Sequence, residues 1–312
     1  MDAVLAPCAR SGIKIITNMG AALTDGANVV ITGRVADPSL YLAPLVHAFG
    51  WPLDDWDLMG KGVCVGHLLE CAGQVTGGYF ADPGVKDVPG LARLGFPIAQ
   101  VAADGSFTIA KVPGSGGRVT VRTCTEQLLY EVHDPAAYVS ADAVADFSGA
   151  CLTQAGPDEV AVAGITGTRR PDALKVSVGY LDGYLGEGEI SYAGANAEAR
   201  GRLALDLVRE RLELTGVPTG DARFELIGVD AVHRGAGGAT AQQQPREVRA
   251  RVAARTATLQ HARRIGREVS ALWLNGPAGG AGATARATDS VAIASVLLPR
   301  HLVTAMITVL EA

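Results

Sequence analysis

Two short β-branched runs, Ile13-Lys14-Ile15-Ile16-Thr17 and Asn28-Val29-Val30-Ile31, stand only ten residues apart, Asn18 to Ala27. Nearly continuous apolar runs of this kind predict buried strands of the parallel type. A parallel crossover needs about a dozen residues, usually with a helix. The spacing therefore leaves two readings: the pair departs from a normal βαβ unit, or a segment usually found there is missing.

At 312 residues the chain predicts two domains. The stretch from Val29 to Asp87 concentrates polar groups at the ends of apolar elements, where α/β proteins bind ligands. Asp37-Pro38-Ser39 predicts a helix start, with Asp37 as N-cap, running to Phe49 with Gly50 beyond it and Pro44 kinking it or setting its start. Trp51 to Gly60 reads as an acidic connector and Val63 to Val75 as a second helix. Gly66 and Gly73 on that helix predict close approach of another backbone. Asp104-Gly105 predicts a hairpin within Ala99 to Val112. Thr123 or Thr125 predicts a helix cap, with the helix running through Tyr130. Beyond about Cys151 the texture changes. Strands at Leu174–Tyr180, Phe224–Val229, Val248–Ala254 and Val291–Leu298 alternate with helices at Ala195–Leu214 and Leu259–Leu274, and Pro299 opens a terminal helix. The order β-α-β-β-α-β is the ferredoxin-like one. The expectation is an α/β protein: a parallel-type, Rossmann-like sheet domain over residues 1–150, then a ferredoxin-like α+β domain over 151–312. The tract from Gly235 to Gln244 reads as a mobile surface loop.

A net charge of −5 without a basic run argues against nucleic-acid binding. No apolar run reaches the roughly 18 residues of a membrane span. The five cysteines include no CxxC pair, which argues against a disulfide framework or structural zinc and for buried thiols in a reducing compartment. With no signal-like N-terminus, the expected location is the cytoplasm.

Four clusters carry candidate chemistry. Thr32, Gly33, Arg34 and Asp37 lie where a strand meets a helix N-terminus, which suits an anion. The plain alternative is that Asp37 caps the helix and Arg34 pairs with it. His67, Glu70, Cys71 and Gln74 have spacings of one helix face, suiting an acid/base pair or, with Asp82 and Asp87, a metal; the alternative is a self-bonded polar face. Glu126 and Tyr130 are four apart near the Thr123/Thr125 start, so Tyr130 is a candidate proton donor and Glu126 a candidate partner or first-turn carboxylate. Asn275-Gly276-Pro277-Ala278-Gly279-Gly280-Ala281-Gly282 follows a helix and precedes a strand, the reverse of a phosphate cradle, and reads as a turn. Neither GxGxxG nor GxxxxGK[ST] occurs, so the anion signal is weaker than a phosphate-binding loop and the cofactor stays open; no GxSxG elbow occurs, so a hydrolase triad has no visible nucleophile.

Several long segments stand out: Val30-Ile31-Thr32-Gly33-Arg34-Val35-Ala36-Asp37-Pro38-Ser39-Leu40, Gly66-His67-Leu68-Leu69-Glu70-Cys71, Gln74-Val75-Thr76-Gly77-Gly78-Tyr79-Phe80-Ala81-Asp82-Pro83-Gly84, Thr125-Glu126-Gln127-Leu128-Leu129-Tyr130-Glu131 and Leu274-Asn275-Gly276-Pro277-Ala278-Gly279-Gly280. Together they resemble the acyclic terpene utilisation AtuA family. The resemblance implies a place in the breakdown of citronellol- and geraniol-type terpenoids and related acids through acyl-CoA intermediates. It carries over no catalytic residues. Family members have a Gly-rich segment before the part matching Met1, and a long stretch between the parts matching Asn18–Ala22 and Gly26–Val29, that this chain lacks. A shortened first sheet with an exposed edge, and with it a homo-oligomer, is therefore expected. The expected function is a catabolic enzyme with lyase, hydratase or isomerase chemistry on a small-molecule carboxylate or acyl-CoA. Arg34, with Thr32, Gly33, Asp37 and Gln74, would hold the substrate, and His67, Glu70, Tyr130 and Glu126 would serve the chemistry. The alternatives are a non-catalytic scaffold subunit of a catabolic complex and a bare acyl-CoA binding module.

Overall fold

The structure, a computed structural model, describes the backbone of Ile15–Thr17 and Val29–Ile31, and residues 35–232 and 245–303. The expectations for Asp2–Arg10, for Thr32, Gly33 and Arg34, and for the Gly235–Gln244 tract lie outside the described residues. The chain forms two compact units: one takes the chain up to Lys175 and again from Leu297, and the other is Val176–Val296.

In the first unit, β1 (Ile15–Thr17) and β2 (Val29–Ile31) pair in parallel, Ile15 opposite Val29 and Thr17 opposite Ile31. Among the described residues of this unit these are the only strands that pair in parallel, so the expected Rossmann-like parallel sheet is not borne out. The remaining strands form two antiparallel sheets. One has the order β3 (Pro97–Val101), β4 (Phe107–Lys111), β8 (Glu159–Ala163), β7 (Cys151–Gly156). The other joins β5 (Tyr138–Val139), β6 (Val144–Asp146) and β9 (Thr166–Thr168). The physical reason is connection length. Only Pro157 and Asp158 separate β7 from β8, and a turn that short can join antiparallel strands alone. The Asp104-Gly105 hairpin forms between β3 and β4, with Gly105 at φ +76° and the Asp104 carboxylate accepting the Ser106 N–H at 3.0 Å.

Among the described residues, three α-helices pack with these sheets. α1 (Ser39–Phe49) starts from Pro38, which makes no side-chain capping bond; Asp37 is exposed in the turn before it and does not cap. Pro44 lies inside α1, and Gly50 closes it at φ +65°. α2 (Trp56–Glu70) begins within the expected connector, because Asp55 caps it by accepting the Leu58 N–H at 3.1 Å. It stops at Glu70, and Ala72 turns left-handed at φ +50°. From Gly62 to Leu69 every residue of α2 is buried, as befits a helix apolar all round. A Cβ on Gly66 would run into the Pro38 backbone, and one on Gly60 into the Thr166 backbone, so the neighbours rest directly on the helix. Gly73, past the helix end, is closed off by the Leu94 side chain, not by backbone. α3 (Val121–Leu129) is capped by Thr120, not by Thr123 or Thr125. Thr123 is the return partner of a capping box, its N–H reaching Thr120 Oγ1 at 3.2 Å and its Oγ1 accepting the Thr120 N–H at 3.0 Å. Val63, Cys64, Leu68, Ile109, Cys124 and Val160 are central members of the core.

The second unit has the element order β10 (Ala173–Ala193), α4 (Ala197–Leu214), β11 (Arg223–Ile227), β12 (Glu247–Thr256), α5 (Leu259–Asn275) and β13 (Ala281–Pro299). Its sheet runs β11-β12-β10-β13, with β10 and β11 both antiparallel to β12. Along β12, Val248, Ala250, Val252 and Ala254 are buried in the core that α4 and α5 share. The alternate Arg249, Arg251 and Arg255 face charges: Arg251 pairs with Glu187 at 2.6 Å and Glu225 at 2.7 Å, and Arg249 with Glu189 at 3.0 Å. Period-two alternation thus separates a dry face from an ion-paired one. The Asn275–Gly282 segment is a turn between α5 and β13, where the Arg200 guanidinium donates to the Ala278 carbonyl at 2.6 Å. After Pro299 a short 3-10 turn covers Arg300–Leu302, and most of the expected terminal helix, residues 304–312, lies outside the described residues.

Two predictions follow from the packing of α2. Gly66→Ala forces Pro38 off the helix and lowers unfolding free energy by about 1–3 kcal/mol, read from urea denaturation. The second concerns Cys124, whose buried thiol is pushed up from 9.0 to about 12. The native state then holds a proton that the unfolded chain releases, so this stability is complete below pH 9.0 and declines towards about pH 12. Denaturation at stepped alkaline pH reads that decline, and Cys124→Ala makes it shallower.

Candidate functional site

The residues of interest gather where α2 and α3 end. The last four carbonyls of a helix have no partner within it. Here each helix supplies a side chain to the other. His67 Nε2 donates to the Leu128 carbonyl of α3 at 3.2 Å, and Gln127 Nε2 donates to the His67 carbonyl of α2 at 3.0 Å. Both residues are buried. The His67 ring also stacks on Phe147, at 5.7 Å and 19°, and meets Tyr138 at 4.9 Å.

These bonds determine a proton count. A carbonyl only accepts, so His67 Nε2 must carry hydrogen. Nδ1 lies 3.0 Å from Glu70 Oε1, and a hydrogen bond there needs one proton, on either the imidazole or the carboxyl. The pair therefore holds two protons in total. The other carboxyl oxygen, Glu70 Oε2, is buried and meets no hydrogen-bonding group, and the same holds for Gln74 Nε2 and Gln127 Oε1. Buried polar atoms are usually satisfied, so the unpartnered Glu70 Oε2 and Gln127 Oε1, on the two residues that bond His67, mark this helix junction as a candidate ligand site.

Around Glu70 the groups stay protonated. Burial, more than Gln127's opposing hydrogen bond, raises the Cys71 thiol above its ordinary value, with Glu70, Glu131 and Asp37 adding to the rise. Burial and then Glu70 raise Tyr41 and Tyr138. Glu131 beside it, more than burial, raises Tyr130, so the phenol keeps its proton at neutral pH. Ala72 and Glu131, which flank Cys71 and Tyr130 in the chain, are both non-glycine residues at positive φ, +50° and +59°. Such strain clusters at functional sites.

Tyr130 also lines a pocket of about 450 Å³ with Phe80, Lys86, Arg122, Thr125 and Glu126. Lys86 pairs with Glu126 at 2.7 Å and lies 4.7 Å over the Phe80 ring. Arg122 lies 5.4 Å over the same ring and, among the described residues, pairs with no carboxylate. The pocket thus has a cationic wall and a Tyr130 wall, and the latter is coupled electrostatically to Cys71 and Glu131.

His67 and Glu70 meet as their spacing predicts, and Tyr130 and Glu126 share the pocket. Gln74 is not on the His67 face, because α2 has ended; its N–H bonds the Cys71 carbonyl at 3.0 Å in the following turn. Glu126 does not sit in the first turn of α3 and is an ion-pair partner. Asp37 is exposed, and its charge is felt at Cys71 and Tyr138. Among the described residues no group of three His, Cys, Asp or Glu could hold a metal ion, and Asp87 instead accepts the Gly84 N–H at 2.8 Å. Lys86, Arg122, Tyr41 and Tyr138 escaped the sequence reading. Only Arg122, one helical turn before Glu126, leaves a signal in the spacing.

The family model described as acyclic terpene utilisation family protein AtuA matches residues 21–309. No curated protein and no solved structure matches.

Removing Glu70's carboxyl strands a buried imidazole nitrogen. Glu70→Ala is expected to lower stability by about 1–3 kcal/mol and Glu70→Gln by much less, measured by thermal or urea unfolding.

Proposed function

From the premise that the chain belongs to the AtuA family, a family of acyclic terpene utilisation and so of broadly catabolic role, we propose that it is an enzyme of acyclic terpenoid or branched-acid breakdown. The reaction is a proton-transfer one, of the lyase, hydratase or isomerase class, on a carboxylate or acyl-CoA. The observation that carries this reading is Glu70: one oxygen bonds the buried His67, while the other is buried without a partner. A carboxyl so placed takes a proton from substrate at Oε2 and shares charge with the imidazole at Oε1, which is general acid–base work. Tyr130, held protonated by Glu131, is the donor on the pocket side.

The carboxylates Asp37, Glu70 and Glu131 repel an anion from the Cys71 side. We therefore place the substrate's anionic end at Arg122 and Lys86 and its reacting carbon towards Glu70. Arg34, with Thr32 and Gly33, remains the proposed second clamp from the strand end, with Asp37 and Gln74 bordering the substrate. The unpaired thiols of Cys64, Cys71, Cys124 and Cys151 favour a reducing, cytoplasmic setting. Among the described residues no helix is long and apolar enough to cross a membrane. The order β11-β12-β10-β13 with intervening α4 and α5 favours a ferredoxin-like reading of the second unit.

The test is solvent deuterium exchange and turnover against a panel of branched acyl-CoAs and free acids. Glu70→Gln is expected to lower kcat by about 10²–10⁴-fold. Arg122→Ala is expected to raise KM about tenfold with kcat little changed, as for loss of uniform binding worth about 1.4 kcal/mol. Full turnover in Glu70→Gln would defeat the reading. Absence of turnover with every substrate would favour a scaffold subunit, and binding without product an acyl-CoA module.

A further inference from the structure

Strand β10 is longer than the sheet that holds it. Its pairing with β12 begins at Tyr184, opposite Thr256, and Gly183 at φ +82° marks the place where it leaves. Before that point β10 has β13 alone as a neighbour among the described residues. Gly179 lies against Val291, so the two strands continue as a ribbon. Its large side chains are exposed on both strands: Tyr180 is 49% exposed, Leu181 74%, Val291 64% and Ile293 71%. Neighbours in a strand point to opposite faces, so Tyr180 and Leu181 leave both faces of the ribbon apolar and wet. A two-stranded ribbon is marginal alone in water, and an uncovered flat edge is a template for another strand.

The charges show what covers it. Val176-Ser177-Val178-Gly179-Tyr180-Leu181 carries none, and it is bracketed by Lys175 and Asp182. A second identical strand laid antiparallel on the free edge, with its twofold axis between Val178 and Gly179, sets Lys175 opposite Asp182 of the second copy, twice. Asp182 already sits with Arg255 and Asp221, a cluster with one surplus negative charge, while Lys175 makes no ion pair among the described residues. The segment is its own complement in charge, and both apolar faces are extended by the match. We propose that the chain forms a twofold homodimer in which the free edge of β10, residues 175–182, pairs antiparallel with the same edge of a second copy. This closes a continuous sheet across the two protomers, an isologous contact.

Light scattering and sedimentation of the full chain test this. The wild type is expected at twice 32.1 kDa. Lys175→Asp and Asp182→Lys are each expected to be monomeric with wild-type circular dichroism, and an equimolar mixture of the two to regain the dimer, since each like-charge contact becomes an opposite pair. Tyr180→Asp, at an exposed site outside any ion pair, is a second variant expected to be monomeric and folded. A monomeric wild type, dimers in the folded single variants, or a folded mixture that stays monomeric would overturn the proposal.

Discussion

The first unit depends on two hydrogen bonds that join the C-terminal ends of α2 and α3: His67 to the Leu128 carbonyl and Gln127 to the His67 carbonyl. Each answers a need that its partner helix cannot meet internally, since terminal carbonyls buried away from water must find donors. The arrangement is possible because α2 is buried all round and admits backbone at Gly60 and Gly66, which brings its end into the core. The proposed acid–base group rests on the same contact. Once Nε2 is committed to a carbonyl, Nδ1 and Glu70 Oε1 are left with one proton between them, and Glu70 Oε2 is buried without a partner. The two bonds thus cap two helices and fix where His67 meets Glu70.

The second unit is organised differently. It relies on the alternation of β12, whose valines and alanines are buried in the core with α4 and α5 and whose arginines meet Glu187, Glu189 and Glu225. Individually such partly exposed pairs are worth little. Their arrangement across adjacent strands instead disfavours a register slip, which would carry the arginines into the dry face. Where β10 outruns β12 this protection stops, and the uncharged edge is left open.

What could be read from the sequence follows physical rules of short range. Asp104-Gly105 marks its hairpin, and the alternation of β12 marks a strand, because both signals are local. His67 and Glu70 are three apart on a helix and do meet. Gln74 misses because Ala72 adopts a left-handed turn that spacing does not reveal. The antiparallel sheets were hidden because strands such as Cys151–Gly156 and Thr166–Thr168 are short and half exposed, without a clear period. Asp55 as the cap of α2 was masked by the acidic, Trp-containing run around it. Lys86 and Arg122 come from separate elements and share a ring, Phe80, only after folding.

The central claim is the proton inventory of His67, and ¹⁵N-histidine NMR reads it directly. His67 is expected to show a slowly exchanging Nε2 proton, with Nδ1 reporting a hydrogen bond that Glu70→Ala removes. An Nδ1-protonated tautomer with a bare Nε2 would contradict it, because the Leu128 carbonyl would then have no donor.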